Sequence, residues 1–276
     1  MAATEHEEHA KRWLVAPGSK VRLADIDTHS KAGAPGNKGT TTKIVDGLVA
    51  QLGEWQTRLW AESSRSLLMV LQAMDAGGKD GTIRKVFTGV NPQGVRVASF
   101  KAPTPEELAH DFLWRIHKQV PVHGEMGVFN RSHYEDVLVV RVDSLVPKHV
   151  WKERYEQIRA FESTLAASGT TVVKFFLHIS KEEQAVRLKE RLDDPAKHWK
   201  FAAADLEVRK RWDEYQQAYE DAINETSTHA APWYVIPADR KWYRNWAILQ
   251  VLLATMHRLD PQFPPEEDGL ADLVVV

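Results

Sequence analysis

The apolar run LLMVLQ (67–72) passes straight into AMDAGGKDGTI (73–83), which places two adjacent glycines and a lysine ahead of a helical pattern. An apolar run of that length reads as a strand buried on both faces. Such strands belong in parallel sheets covered by helices. The glycines free the turn from the limits a Cβ imposes, and the following helix offers unpaired N–H groups and the positive end of its dipole. An anion is the expected occupant, with Lys79 adding a point charge. The usual phosphate loop reads G-x-x-x-x-G-K-[ST]. Here Ala73 stands at the first glycine, and Asp80 stands where ATP-binding proteins place a magnesium-ligating hydroxyl. Ala73 then requires a negative φ.

The rest of the chain repeats the strand–helix alternation. VRVASF (95–100), MGVF (126–129), TVVKFFLHI (171–179) and WYVI (233–236) read as further strands, and VLVVRV (137–142) fits either a strand or a buried helix. Helices are expected over 41–62, 147–167, 205–223 and 240–258, and KAGAPGNKG (31–39) reads as a loop. Core stripes run through Trp151, Tyr155, Ile158, Phe161 and Leu165, through Leu206, Trp212, Tyr215, Tyr219 and Ile223, and through Trp242, Trp246, Leu249, Leu253 and Met256. Most of the 10 tryptophans therefore belong to packing. Thr104, Pro105 and Glu107 form a capping-box pattern, and Ser180 with Glu183 repeats it. The alternation predicts an α/β protein with a parallel central sheet between helical layers.

With 276 residues, the chain suits one large α/β domain, and 43% hydrophobic content supports a sizeable core. The absence of cysteine excludes disulfides and thiolate chemistry. MAATEHEEHAKRW lacks the apolar stretch of a secretion signal, and no segment approaches the ~20 apolar residues of a membrane span. The expectation is a cytoplasmic protein without membrane or nucleic-acid partners. A net charge of −2 means that any polyanion must meet local basic clusters.

In a sheet of this kind, ligands bind at the carboxyl ends of the strands. The first such end carries Asp75 and Lys79. A carboxylate beside phosphates is repelled unless a cation lies between them, so Asp75 is a magnesium ligand or a group that orients the acceptor. The second end, FNRSHYED (129–136), carries Arg131, suited to bidentate phosphate contact, and the paired acids Glu135 and Asp136. The third leads into ISKEEQAVRLKERLDDPAKHWKF (179–201). There Arg187 and Arg191 lie one helical turn apart, opposite Ala185, Leu188 and Leu192, with Lys197 and Lys200 beyond Pro195. That pattern suits a closing lid whose arginines neutralise charge during phosphoryl transfer. Each stretch also has a plainer reading: a structural turn, a solvated helix start and a solvated helix face.

Taken together, these stretches resemble the second family of polyphosphate kinases. VLQAMDAGGKDGTI is similar to that family's Walker A segment, GVFNRSHYEDVLV to its Walker B segment, HISKEEQAVRLKERLDDPAKHWKF to its lid, and TSTHAAPWYVIPADRKWYRNW to its C-terminal signature. The likeness extends from about residue 40 to 260. It implies a three-layer α/β/α P-loop kinase-like fold, with an N-terminal extension (1–39), a kinase domain (40–260) holding a lid at about 181–204, and a C-terminal tail (261–276). It also implies transfer of the terminal phosphoryl group of inorganic polyphosphate to AMP and ADP, with magnesium as cofactor and manganese as a substitute. A homo-oligomer, dimer or tetramer, is expected.

Carried over by position, Asp75, Lys79, Arg131, Asp136, Arg187 and Arg191 become catalytic residues. Ala76, Gly77, Gly78, Lys79, Asp80, Gly81, Lys85 and Lys200 become phosphate ligands. Lys101, Arg115, Asn130, Arg131 and Glu135 become nucleotide ligands, and Asp75, Glu135 and Asp136 metal ligands. Arg84 and Lys118 join Lys85 and Lys200 as candidates to line a channel for the donor. With polyphosphate as donor, no hydroxyl is needed after Lys79, and Asp80 serves as an acid at a helix start. An ATP-dependent nucleotide kinase and a non-catalytic nucleotide or polyphosphate binder are the alternatives. The unusual loop ending counts against the first and the acids Asp75 and Asp136 against the second.

Overall fold

The computed structural model describes residues 3–268. Its six strands are β1 (Leu14–Val15), β2 (Ser66–Gln72), β3 (Val95–Ser99), β4 (Met126–Asn130), β5 (Thr170–His178) and β6 (Trp233–Pro237), ordered β1-β6-β5-β2-β4-β3. All neighbouring pairs are parallel except β1 with β6. The five expected strands fall within a residue or two of their sequence limits. β2 is buried at every position, as its unbroken apolar run requires in a sheet covered on both faces.

The chain leaves β2 toward β4 and β3 on one side and returns through β5 and β6 on the other. The carboxyl end of β2 is therefore the switch point where such folds bind ligands. Register brings three expected segments to one edge. Leu71 pairs with Asn130, Gln72 with Phe176 and His178 with Pro237, so the loops after β2, β4, β5 and β6 all open there.

Helix Lys241–Leu259 packs on Lys38–Glu62, Ala3–Lys11 and Lys79–Val86, and helix Lys148–Ala167 packs on β5 and Trp212–Thr226. The stripe from Trp151 to Leu165 is buried as expected. The expected helix over 205–223 is two helices, Ala204–Lys210 and Trp212–Thr226, broken at Arg211. Leu206 is consequently exposed, and the stripe begins at Trp212. VLVVRV resolves into a short helix, Val139–Val142. The capping box at Thr104 forms in full. At Ser180 only half forms, because the Glu183 carboxylate turns to Arg187 at 2.7 Å.

Residues before 40 add Ala3–Lys11, which buries His6 and Ala10, and β1, which extends the sheet. Of the expected tail over 261–276, residues 269–276 lie outside the described residues.

Candidate active site

The loop after β2 is tied down from outside. Tyr219 Oη and Lys79 Nζ donate to Ala73 O, Gln184 Nε2 donates to Asp75 O, and Arg187 Nη1 donates to Ala76 O and Gly77 O. With those carbonyls engaged, the first N–H groups of helix Lys79–Val86 are left without intrahelical acceptors. Ala73 keeps the expected negative φ, whereas Ala76 (φ 59°) and Gly78 (φ 100°) are left-handed. A Cβ on Gly77 would come within 2.5 Å of the Ala73 Cβ. Gly77 is thus needed for close packing of the turn, and Gly78 for its left-handed conformation.

Arg131 also has positive φ, at 62°. Left-handed backbone at a bulky residue is uncommon and concentrates at functional sites. Its guanidinium reaches Asp75 at 3.0 Å and Glu135 at 3.9 Å, which gathers three of the expected residues. Burial, and next the Arg131 charge, hold the Lys79 ammonium below its ordinary pKa. Asp80 accepts from Asn130 Nδ2 at 2.7 Å, joining the β2 and β4 loops. The acid at the hydroxyl position is therefore occupied by a side-chain amide of the chain itself.

Beneath the β4 loop lies a buried network. Lys174 Nζ donates to Glu162 at 2.6 Å and to Tyr134 Oη at 2.8 Å. Glu162 Oε1 also contacts Tyr134 Oη at 2.8 Å and His133 Nε2 at 3.2 Å. In SHYED, Ser132, His133 and Tyr134 are buried, and Glu135 and Asp136 turn to Arg131 and Arg154.

The cleft over the loop encloses about 780 Å³ and is lined by ten basic and four acidic side chains. It contains Asp75, the whole run from Ala76 to Gly81, Arg84, Lys101, Asn130, Arg131, Arg187, Arg191 and Lys200. The structure places other expected residues elsewhere. Asp136 does not join Asp75; it pairs with Arg154 at 3.0 Å, and burial pushes its carboxyl up to about 6. Among the described residues, no three His, Cys, Asp or Glu side chains form a group that could hold a metal ion. Arg115 is buried behind the cleft, donating to Lys101 O. Lys85 pairs with Asp46, and Lys118 stacks on Trp114.

Arg187 does not lie on a solvated face shared with Arg191. It is 5% exposed, and besides the loop it binds Ala238 O, Asp239 O and Glu183. A helix that fastens a loop needs donors on its buried face, and Arg187 supplies them. Arg191 bonds to nearby chain, at Lys200 O and Asp205. Leu192 is solvent-exposed. The placements predict a split. Arg187→Lys should cost roughly 2–4 kcal/mol of stability, by leaving buried carbonyls without donors. Arg191→Lys should cost under about 1 kcal/mol. Equal urea midpoints for the two variants would contradict the assignment.

Arg244, Lys241 and Trp199 line the cleft in addition to the expected residues. Arg244 and Lys241 follow β6, so the strand-end rule applied to a fourth strand reaches them. Trp199, 79% exposed, had no periodic signal to separate it from the nine other tryptophans.

A doubly covered parallel sheet with a glycine loop, an adjacent lysine and a basic cleft at its switch point defines a phosphate-binding protein of the P-loop type. The chain belongs to the polyphosphate kinase 2 family, whose model matches residues 37–264. It is 55% identical over 265 residues to the AMP/ADP-polyphosphate phosphotransferase of Meiothermus ruber, covering 96% of this chain and 99% of the relative. It is 48% identical to the ADP-polyphosphate phosphotransferase of Rhodopseudomonas palustris over 92% of each chain. The crystal structure of polyphosphate kinase 2 from Arthrobacter aurescens TC1 superposes with a TM-score of 0.92 at 45% identity, covering 96% of this chain and 94% of that one.

Proposed function

We propose that the chain moves the terminal phosphoryl group of inorganic polyphosphate to AMP and to ADP, giving ADP and ATP. The observation that carries this reading is the concentration of ten basic side chains around the loop, in a chain whose net charge is −2. A condensed phosphate and a nucleotide phosphate can be brought together only where their mutual repulsion is offset. A terminal phosphate oxygen of the nucleotide attacks the terminal phosphorus of the donor. The anhydride P–O bond breaks, and its electron pair leaves on the shortened chain.

Lys79 and the loop N–H groups hold the donor. Arg131 orients the acceptor between Asp75 and Glu135, and residues 181–204 close as a lid bearing Arg191. Arg187 acts through the loop it fastens. Magnesium needs only one or two protein carboxylates when phosphates complete its shell, so Asp75 fits as its ligand, with manganese as a substitute. Held by Asp75, such an ion would supply positive charge to offset that of the phosphate oxygens. The same reading makes the protein a cytoplasmic homo-oligomer, and residues 1–39 an extension of the kinase unit.

The M. ruber and R. palustris relatives differ in whether AMP is named as a substrate. The greater identity to the M. ruber protein favours both acceptors. The test supplies polyphosphate and magnesium with AMP or ADP, and no ATP. Both acceptors should be phosphorylated. ADP turnover with AMP untouched would remove AMP from the reading, and no reaction with either would remove polyphosphate as donor. Arg191→Lys keeps the charge but loses the fork, and its turnover should fall at least ~10-fold.

A further inference from the structure

Arg244 opens the C-terminal helix on the side facing the loop, and it is 3% exposed. Its Nε and Nη2 share one acceptor, Asn245 Oδ1, at 3.2 and 2.9 Å. Among the described residues it forms no ion pair. A second guanidinium lies beside it. The point where Gly78 would carry a Cβ is 2.1 Å from Arg244 Nη1 and 3.4 Å from Arg187 Nη1. Gly78 lacks a side chain at the spot the Arg244 fork occupies.

Two cations side by side in a buried setting are costly unless an anion joins them. One carboxylate, Glu183, serves Arg187, whose other donors go to carbonyls. Carbonyls satisfy hydrogen bonds without cancelling charge. Burial, and then the Arg187 charge, pull the Arg244 pKa down to about 9, which still leaves it cationic at neutral pH.

The missing negative charge has an obvious place. Gly78 caps the helix Lys79–Val86, whose first N–H groups are free to meet an anion. In ATP-binding loops, a metal on the hydroxyl after the lysine neutralises the phosphates from this side. Asp80 occupies that position here and is engaged by Asn130. We infer that Arg244 is a ligand of the phosphate in the loop, in place of a loop-bound metal, so that a condensed phosphate donor docks without divalent cation. The demand for metal then arises on the acceptor side, at Asp75. This inference rests on polyphosphate being the donor.

The test is calorimetric titration of the full chain with inorganic tripolyphosphate in EDTA, and again with magnesium, alongside thermal unfolding. Wild type should bind in EDTA, within about threefold of its affinity with magnesium. Arg244→Met should bind roughly 10- to 100-fold more weakly in EDTA, the range for losing charged hydrogen bonds. Without ligand it should melt no lower than wild type, because an uncompensated buried charge is gone, and it should lose the rise in Tm that tripolyphosphate gives. If that variant does not fold, the wild-type comparison still decides. Tripolyphosphate binding that requires magnesium in wild type overturns the inference, and so does a folded Arg244→Met that binds like wild type. Absence of any polyphosphate-dependent transfer in wild type would instead sink the donor assignment on which the inference stands.

Discussion

Asp75→Asn should leave a folded protein whose turnover is lower by roughly 10³-fold, the scale of losing a charged group at a phosphoryl-transfer centre. The change is nearly isosteric. Its ion pair with Arg131 is partly solvated, with side-chain exposures of 20% and 42%. Such a pair contributes about 1 kcal/mol or less, so the melting temperature should barely move. Metal-free AMP binding should hold or tighten, because a negative charge has left a site built for anions. Lys79→Met should also lose turnover, but it should weaken donor binding, since it removes a positive charge. Steady-state rates and equilibrium dialysis in EDTA separate the two signs. Asp80→Asn is the control for the loop. Its amide oxygen can still accept from Asn130, so most of the rate should remain. A near wild-type Asp75→Asn beside an inactive Asp80→Asn would move the metal to the wrong side of the present assignment.

Period and composition could be read where they depend on one element at a time. β2 declared itself through an unbroken apolar run, and Lys148–Ala167 through its stripe. The expected phosphate ligands of the loop, Ala76 to Gly81, line the cleft, because a glycine turn between strand and helix has few alternatives. Direction was harder. Glu135 and Asp136 are adjacent in sequence and point to different partners, Arg131 and Arg154. Only the position of helix Lys148–Ala167 decides that. Arg187 looked like surface because its face carries charge. The face is buried by the loop's carbonyls, which no hydrophobicity pattern records. β1 has two residues, too few to show alternation, and its place is fixed by pairing with β6. Arg211 breaks a helix that periodicity joins, and the buried stripe begins at Trp212.

Lys174 carries the largest expected loss of stability. It is fully buried, and its ammonium binds Glu162, Tyr134 Oη and Thr226 O at 2.6 to 2.8 Å. Lys174→Met is close in volume but strands the Glu162 carboxylate away from water. Removing one partner of a buried pair costs about 3–5 kcal/mol, more than the pair itself is worth. Adding Glu162→Gln should restore at least about 2 kcal/mol of that loss. The amide keeps an acceptor for Tyr134 and removes only the charge. Urea unfolding of both variants measures the coupling. A Lys174→Met loss below about 1 kcal/mol would mean that Glu162 finds a proton or water, and the pair would then have no structural claim. The network also bears on the site, because His133 and Tyr134 lie two and three residues past Arg131, whose backbone is left-handed. Strain of that kind persists only where the surroundings hold it. The double variant, stable again but lacking the lysine's bond to Tyr134, should therefore show a weakened KM for the nucleotide with the donor KM unchanged. A donor KM that rose equally would place the clamp under the β2 loop instead.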